Sequence, residues 1–409
     1  LRNLEAASMT ANGVGELARV TERVWKALDE FRIEVPSWGF SNTGTRFGKF
    51  VQASAATNIE EKFADAAQVN VLTGASPTVA LHVLWDLPGG LKDVPAIQAL
   101  EAKYGVKSGS INPNLFQDQE YKYGSIANPS AEIRGKALKH LLDSVEIGRE
   151  LGSKDVSMWI ADGSNYPGTQ SMRRRIDWMS EVLGATHAAL GPDQRMLVEY
   201  KPFEPAFYHT DIADWGMALE LARRAGPKAK VLVDTGHHYQ GTNIEQIVAW
   251  LLHLGELGGF HFNDRKYADD DLTLGSIDPY QVFRIFHEIV SASEDERAHV
   301  AFMIDQSHNL KGKMEAMVQT VVSAQELYAK AALIDQSRLA ELQQSCRLVE
   351  AEECFRSAFW QDVRPIVREW RQARGLAVDP LAALRESGYV EWAAKERGSR
   401  NAGSVSSYA

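Results

Sequence analysis

Eight short apolar runs, most of them followed by a longer stretch of helical periodicity, constrain this 409-residue chain more than any other feature. The runs cover residues 35–40, 79–85, 105–111, 155–161, 196–201, 229–234, 258–263 and 300–305. Helical patterns at 131–151, 172–190, 211–225, 244–257 and 279–290 lie between them. Strand–helix alternation at this spacing means parallel strands joined by crossover helices. Eight such units close into a barrel, so the expected fold is α/β, a (β/α)8 TIM barrel. An open doubly wound sheet is the alternative. It normally carries a glycine-rich turn after its first strand, and residues 38–48 do not match that spacing. Two helix starts carry their own punctuation: Asn243 as a cap, and Asp278-Pro279 as cap and first turn.

The barrel is expected over 35–312, preceded by a helical segment over 1–34. After Gly312 the pattern is helical and charged, with segments at 315–333, 336–360, a Pro365-containing helix ending near Gly375, and 381–397. This added C-terminal region, 313–397, is amphipathic and is expected to pack subunits together. The Ser/Gly/Asn-rich tail at 398–409 reads as disordered. Cys346 and Cys354, read as lying on one helix, stand about 12 Å apart by helical rise, too far for a disulfide; free thiols are expected.

The formal net charge is −10. A nucleic-acid binder normally shows a basic surplus or stripe, and none is visible. No apolar run reaches the roughly 18 residues that span a bilayer, and the first ten residues lack a basic stretch followed by an apolar one. The expected setting is the cytoplasm, with neither nucleic acid nor membrane as a partner.

Barrel enzymes work at the C-terminal ends of their strands. His82 ends the second run and Trp159 lies near the end of the fourth. Glu199 and Lys201 end the fifth, two residues apart and therefore on one face. Asp234 and His237 leave the sixth, His261 lies in the seventh, Asp269 and Asp271 follow it, and Asp305 ends the eighth. Each has a bland alternative: a Glu199–Lys201 ion pair, Asp234 as a helix cap, a satisfied core histidine at 261, a solvated acidic loop at 269–271. Taken together they do not. A carboxylate aimed into an apolar barrel costs several kcal/mol unless it is paired or bound to metal, and a divalent ion offsets that cost for several at once. The Asp234-x-x-His237 spacing can bring two ligands onto one ion. Mixed oxygen and nitrogen ligation suits Mn²⁺, Co²⁺ or Zn²⁺ better than Ca²⁺. Seven candidate ligands are too many for one ion, so two are expected.

The segments Val198-Glu199-Tyr200-Lys201, Asp234-Thr235-Gly236-His237-His238, His261-Phe262-Asn263-Asp264 and Asp269-Asp270-Asp271-Leu272 resemble the Pseudomonas-type L-rhamnose isomerases. Asn42-Thr43-Gly44-Thr45-Arg46-Phe47 and Leu81-His82-Val83-Leu84-Trp85-Asp86 also match, and the resemblance covers about 38–309. It implies that Glu199, Asp234, His261 and Asp305 hold a structural metal, and that His237, Asp269 and Asp271 hold a catalytic one, with Asp234 as the bridge. Mn²⁺ is the expected ion, with Co²⁺, Zn²⁺ or Mg²⁺ as substitutes. The resemblance further implies that Lys201 bonds the carbonyl-side oxygen of the sugar and that His82 helps open the ring together with Asp305. Trp38 and Trp159 wall the pocket, Phe47 reaches into a neighbour's site in a homotetramer, and Ser307 is a further sugar contact. The implied reaction interconverts L-rhamnose and L-rhamnulose, with L-lyxose, L-mannose and D-allose as other substrates, by a metal-assisted hydride shift. Glu199 or a metal-bound hydroxide would be the base of a competing enediol route.

Three other functions use similar residues. A multi-zinc barrel phosphodiesterase would need a basic groove for phosphates. A ketose 3-epimerase places one metal between two opposed glutamates, where this chain offers His and Asp. A sugar-binding protein without catalysis would have no need of the full ligand set.

Overall fold

The computed structural model describes residues 11–42, 50–203 and 208–402, with side chains from residue 18. Eight parallel strands follow one another in sequence order: β1 Val35–Pro36, β2 Thr78–His82, β3 Lys107–Asn112, β4 Asp155–Trp159, β5 Arg195–Glu199, β6 Ala229–Asp234, β7 Leu257–Phe262 and β8 Ala301–Ile304. Closure rests on one parallel bridge between Glu34 and Met303. There the Glu34 N–H donates to Phe302 O at 2.8 Å and Ile304 N–H donates to Glu34 O at 2.9 Å. The barrel expected from the eight runs is therefore present.

Period-two alternation places the chemistry. Leu197, Leu232 and Met303 form a small apolar cluster of their own. Each stands two residues before an acid, Glu199, Asp234 or Asp305, and so shares its face. The inward layer of the barrel is thus apolar one pleat below the acids and polar at their level. The alternate residues Val198, Val231, Val233, Phe260 and Phe262 face outward and join the main core with the surrounding helices.

Two runs end earlier than the apolar pattern suggests. Pro36 has no N–H to continue a ladder, and a 3-10 turn, Ser37–Phe40, follows it. The second strand stops at His82 because the Asp86 carboxylate takes the His82 N–H at 2.7 Å and draws the chain into a turn. Helices Ile59–Thr73 and Val94–Tyr104 supply the first two crossovers. Asn243 and Asp278 cap their helices through side-chain oxygens, as their sequence positions suggest.

The C-terminal region differs from expectation in three ways. Helix Lys313–Ala332 packs on Pro279–Ser291, Ala11–Glu30 and Ile59–Thr73, so the outer layer of the barrel runs past Gly312. The segment expected as one helix over 336–360 is two, Gln336–Gln344 and Leu348–Trp360. Cys346 sits between them at φ 55°, a left-handed conformation that ends a helix. The two cysteines therefore do not share a helix, and both are free. Residues 398–402, expected to begin a disordered tail, continue helix Tyr389–Ala402. The buried Arg397 of that helix pairs with Asp65 on helix Ile59–Thr73 and fixes it to the barrel. No helix among the described residues is long and apolar enough to cross a membrane.

Candidate metal centre

At the C-terminal ends of β5 to β8 the structure collects four acids and two histidines. Ligand atoms of Glu199, Asp234, His261 and Asp305 lie within 4.8 Å of one another, and so do those of Asp234, His237 and Asp269. The first set is the one expected for a structural metal. The second is the expected catalytic set without Asp271. Asp234 belongs to both, which is what a bridging carboxylate requires.

The surroundings fix which atoms are available. Asp234 Oδ1 accepts from Gly236 N–H at 2.6 Å and from Asn263 Nδ2 at 3.0 Å. Its Oδ2 faces His237 Nε2 at 3.8 Å and His261 Nδ1 at 3.9 Å. A Cβ on Gly236 would stand 2.4 Å from Asn263 Oδ1, so a side chain there would have to displace the amide that holds Asp234. His237 Nδ1 lies 3.1 Å from the Tyr200 carbonyl. Donation to that oxygen leaves the Nε2 lone pair pointing at Asp234 and Asp269, the arrangement by which metal-binding histidines are oriented. The Tyr200 hydroxyl in turn bonds His238 Nε2 at 2.7 Å, behind the site.

Electrostatics show how costly the cluster is. Burial raises the Asp234 carboxyl and the Glu199 and Asp269 charges add to that, so it stands at about 7 despite His237. Burial also acts to raise Glu199, but His261 and His237 outweigh it and hold that group at about 2. Burial alone would lower His261, yet Glu199, Asp305 and Asp234 lift it to about 9. His237 rises for the same reason, beside Asp234 and Asp269. Without added positive charge the cluster has to hold protons on its own ligands.

The residues fit divalent ions. Both ring nitrogens of His261, and Asp269 Oδ1, are buried without a hydrogen-bond partner. Leaving such groups unmet costs about 1–3 kcal/mol each, more for charged ones. Carboxylates mixed with imidazoles are the donor set of Mn²⁺, Co²⁺ and Zn²⁺.

A cavity of about 150 Å³ opens against these ligands, walled by Trp38, His82, Trp85, Phe116, Trp159 and Lys201. The Lys201 ammonium pairs with Asp269 Oδ2 and lies 5.3 Å from the centre of the Trp159 ring. Trp38 Nε1 donates to Asp305 Oδ1 at 2.8 Å. His82 stacks on Trp85 with ring centres 3.7 Å apart, and its Nδ1 lies 3.0 Å from Val83 O, leaving Nε2 as the acceptor. The sequence suggests a histidine titrating near neutrality; instead burial pushes His82 down to about 4 and keeps it neutral.

Two expected residues, Asp271 and Ser307, stand apart from these groups. Asp271 is in neither ligand set. It adopts φ 46°, a conformation that costs a non-glycine residue about 1–2 kcal/mol. Burial and the charges of Asp269, Asp305 and Asp234 raise its carboxyl. Ser307 is not among the residues lining the cavity; its hydroxyl receives the Lys313 ammonium at 3.2 Å. Phe47 lies outside the described residues.

Sequence reasoning missed Phe116, Asn112 and Ser157, which also line the cavity. Asn112 ends β3 and Ser157 lies on β4, so a search of every strand end for small polar residues would have found them. Phe116 sits in a loop and carries no periodic signal.

Residues 80–302 match the model of the xylose isomerase-like TIM barrel family. A probable sugar isomerase of Rhizobium meliloti is 41% identical over 376 residues, 90% of this chain and 86% of the relative. A probable sugar isomerase of Mesorhizobium japonicum is 39% identical over 384 residues, 92% of this chain and 88% of the relative. Among solved structures, an L-ribulose 3-epimerase superposes with a TM-score of 0.53 at 14% identity, over 76% of this chain and 98% of the other; this likeness is one of fold.

Proposed function

The chain belongs to the xylose isomerase-like TIM-barrel family, and we propose that it is a divalent-metal-dependent aldose–ketose isomerase interconverting L-rhamnose and L-rhamnulose. L-Lyxose, L-mannose and D-allose are its further substrates, and the working species is a homotetramer. One observation carries the reading: two ligand sets share Asp234 and face a small aromatic cavity that also presents a lysine and a neutral histidine. The probable sugar isomerases that match nine-tenths of the chain support the same class.

Glu199, Asp234, His261 and Asp305 would hold one ion, and His237, Asp269 and Asp271 the other, with Asp234 shared. Mn²⁺ or a similar ion bound there supplies Lewis acidity to the two oxygens of the reacting carbons. The chain's own groups do the rest. His82 is neutral, and its Nε2 can accept the ring hydroxyl proton as the sugar opens. From aldose to ketose, the C2–H bond breaks and hydrogen moves with its electron pair to C1, while the O2 proton ends on O1. Lys201 places positive charge beside the oxygen that becomes more negative during this transfer. Trp38, Trp85, Phe116 and Trp159 exclude water, so that the migrating hydrogen does not exchange.

The test is turnover of L-rhamnose carrying deuterium at C2, run beside L-lyxose, L-mannose and D-allose. The proposal expects L-rhamnose to be fastest, with deuterium retained at C1 of the ketose. Loss of label to water would replace the hydride shift by an enediol route. Turnover of none of these sugars by the metal-loaded protein would overturn the proposal.

A further inference from the structure

We propose that Asn401 is a positioning residue for the acid-bearing loops of the metal centre, acting through Asn42 and Gln52. The inference rests on the reading of that centre as the working site. It assigns the last turn of helix Tyr389–Ala402 a task inside its own subunit.

Asn401 is buried and every polar atom of its amide is engaged. Its Nδ2 donates to the carbonyls of Ala53 and Ala55, both at 2.9 Å. Its Oδ1 accepts from Asn42 Nδ2 at 2.8 Å. Asn42 is locked to Gln52 in both directions: Gln52 N–H donates to Asn42 Oδ1 at 2.9 Å, and Asn42 Nδ2 donates to Gln52 O at 3.1 Å. One side chain from the end of the described chain therefore holds residues 42 and 52–55 together.

Gln52 carries that hold onward. Its Nε2 donates to Lys311 O at 2.7 Å and Asn309 O at 3.1 Å, and its Oε1 accepts from Lys313 N–H at 3.1 Å. These carbonyls belong to the loop that leaves β8 immediately after Asp305. The same loop reaches the other acids. Lys311 Nζ donates to Thr273 Oγ1 at 2.8 Å and His308 Nε2 lies 3.3 Å from it, two residues beyond Asp271. The path thus runs from Asn401 through Asn42 and Gln52 to both loops that carry Asp305, Asp269 and Asp271.

Plain anchoring of the C-terminal helix does not need Asn401. Arg397, one turn earlier, already makes a buried two-point pair with Asp65 at 2.9 Å and donates to Ser54 O at 2.9 Å. Tyr389 bonds the same carboxylate at 2.7 Å. Asn401 is spent instead on the base of the segment that contacts the strand-8 loop.

The experiment compares the full-length protein with Asn401→Asp, Gln52→Ala and Arg400→Ala. Asn401→Asp keeps the volume and the acceptor but removes both N–H donors. Arg400→Ala removes only an exposed contact with Glu61 and Thr57 on the same turn. Amide hydrogen exchange is read over 306–313, 271–274 and 389–399, and Mn²⁺ affinity is read by calorimetry. Asn401→Asp and Gln52→Ala should speed exchange at 306–313 and 271–274, weaken Mn²⁺ binding on the order of tenfold, and leave 389–399 protected. Arg400→Ala should match the wild type. Wild-type exchange and affinity in Asn401→Asp would overturn the proposal. So would loss of protection in 389–399, which marks a simple anchor. Mn²⁺ binding without turnover in the wild type would count against the isomerase reading alone, because neither readout depends on activity.

Discussion

The indole nitrogen of Trp38 donates to Asp305 Oδ1 across 2.8 Å, and Asp305 Oδ2 is left 3.8 Å from His261 Nδ1. A wall of the cavity therefore also orients a ligand. Trp38→Phe keeps the apolar wall and removes the donor. It should weaken the affinity for Mn²⁺ by about tenfold, as loss of an outer-shell partner does, and raise the metal concentration needed for half-maximal turnover. Calorimetric titration of the metal-stripped variant checks this. Wild-type affinity would show that Asp305 needs no such support.

Lys201 is held beside Asp269 and over Trp159, where it adds charge without being a ligand. Lys201→Met should lower kcat about 100-fold, the usual effect of removing one preorganised electrostatic partner, while two ions per chain are still bound. Metal analysis alongside steady-state kinetics separates the two effects. Loss of metal together with activity would make Lys201 a support for Asp269 instead.

Glu34 closes the barrel and buries its carboxylate against Ser110, accepting from its N–H at 2.9 Å and its hydroxyl at 2.6 Å. A Cβ on Gly109 would stand 1.3 Å from Glu34 Oε2. Gly109→Ala should therefore cost about 3 kcal/mol of stability, as overpacking of a rigid site does. Urea melts would show it, and Glu34→Ala in the same chain should recover part of the loss. An unchanged midpoint would mean that the closure yields easily.

His287 faces Phe355 edge-on at 5.0 Å, and its Nδ1 lies 3.4 Å from Gln336 Nε2. Burial pushes it down to about 4. Below its unfolded value of about 6.5, the unfolded chain takes up a proton that the folded chain refuses. The neutral ring therefore contributes its full stability above that pH, and the contribution falls as pH drops from about 6.5 toward 4. The difference in stability between wild type and His287→Phe should change across this window and be flat above it. A constant difference would remove the titration from the account.

The parts of the molecule that could be read from the sequence were those set by periodicity. Apolar runs of six or seven residues announce β4 to β8, and two-residue spacing places Glu199, Asp234 and Asp305 one pleat above Leu197, Leu232 and Met303. Where a single polar contact overrides the pattern, the sequence misled. Asp86 ends β2 at His82 although Val83, Leu84 and Trp85 continue the apolar run. Cys346 breaks a helix that its neighbours would extend. Asn401 sits in a composition typical of a loose tail yet is buried against three long-range hydrogen-bond partners, Asn42, Ala53 and Ala55, that no local pattern records. The low titration of His82 was hidden for the same reason, since it comes from packing against Trp85 and Phe116.

The proposed activity depends on a two-ion centre that isomerises an aldose. The most direct measurement adds Mn²⁺ stepwise to the metal-stripped chain while following L-rhamnulose formed from L-rhamnose. Turnover should be absent at the start and reach its plateau only with the second equivalent bound per chain. Two ions bound with no ketose formed, or full turnover in their absence, would contradict that proposal.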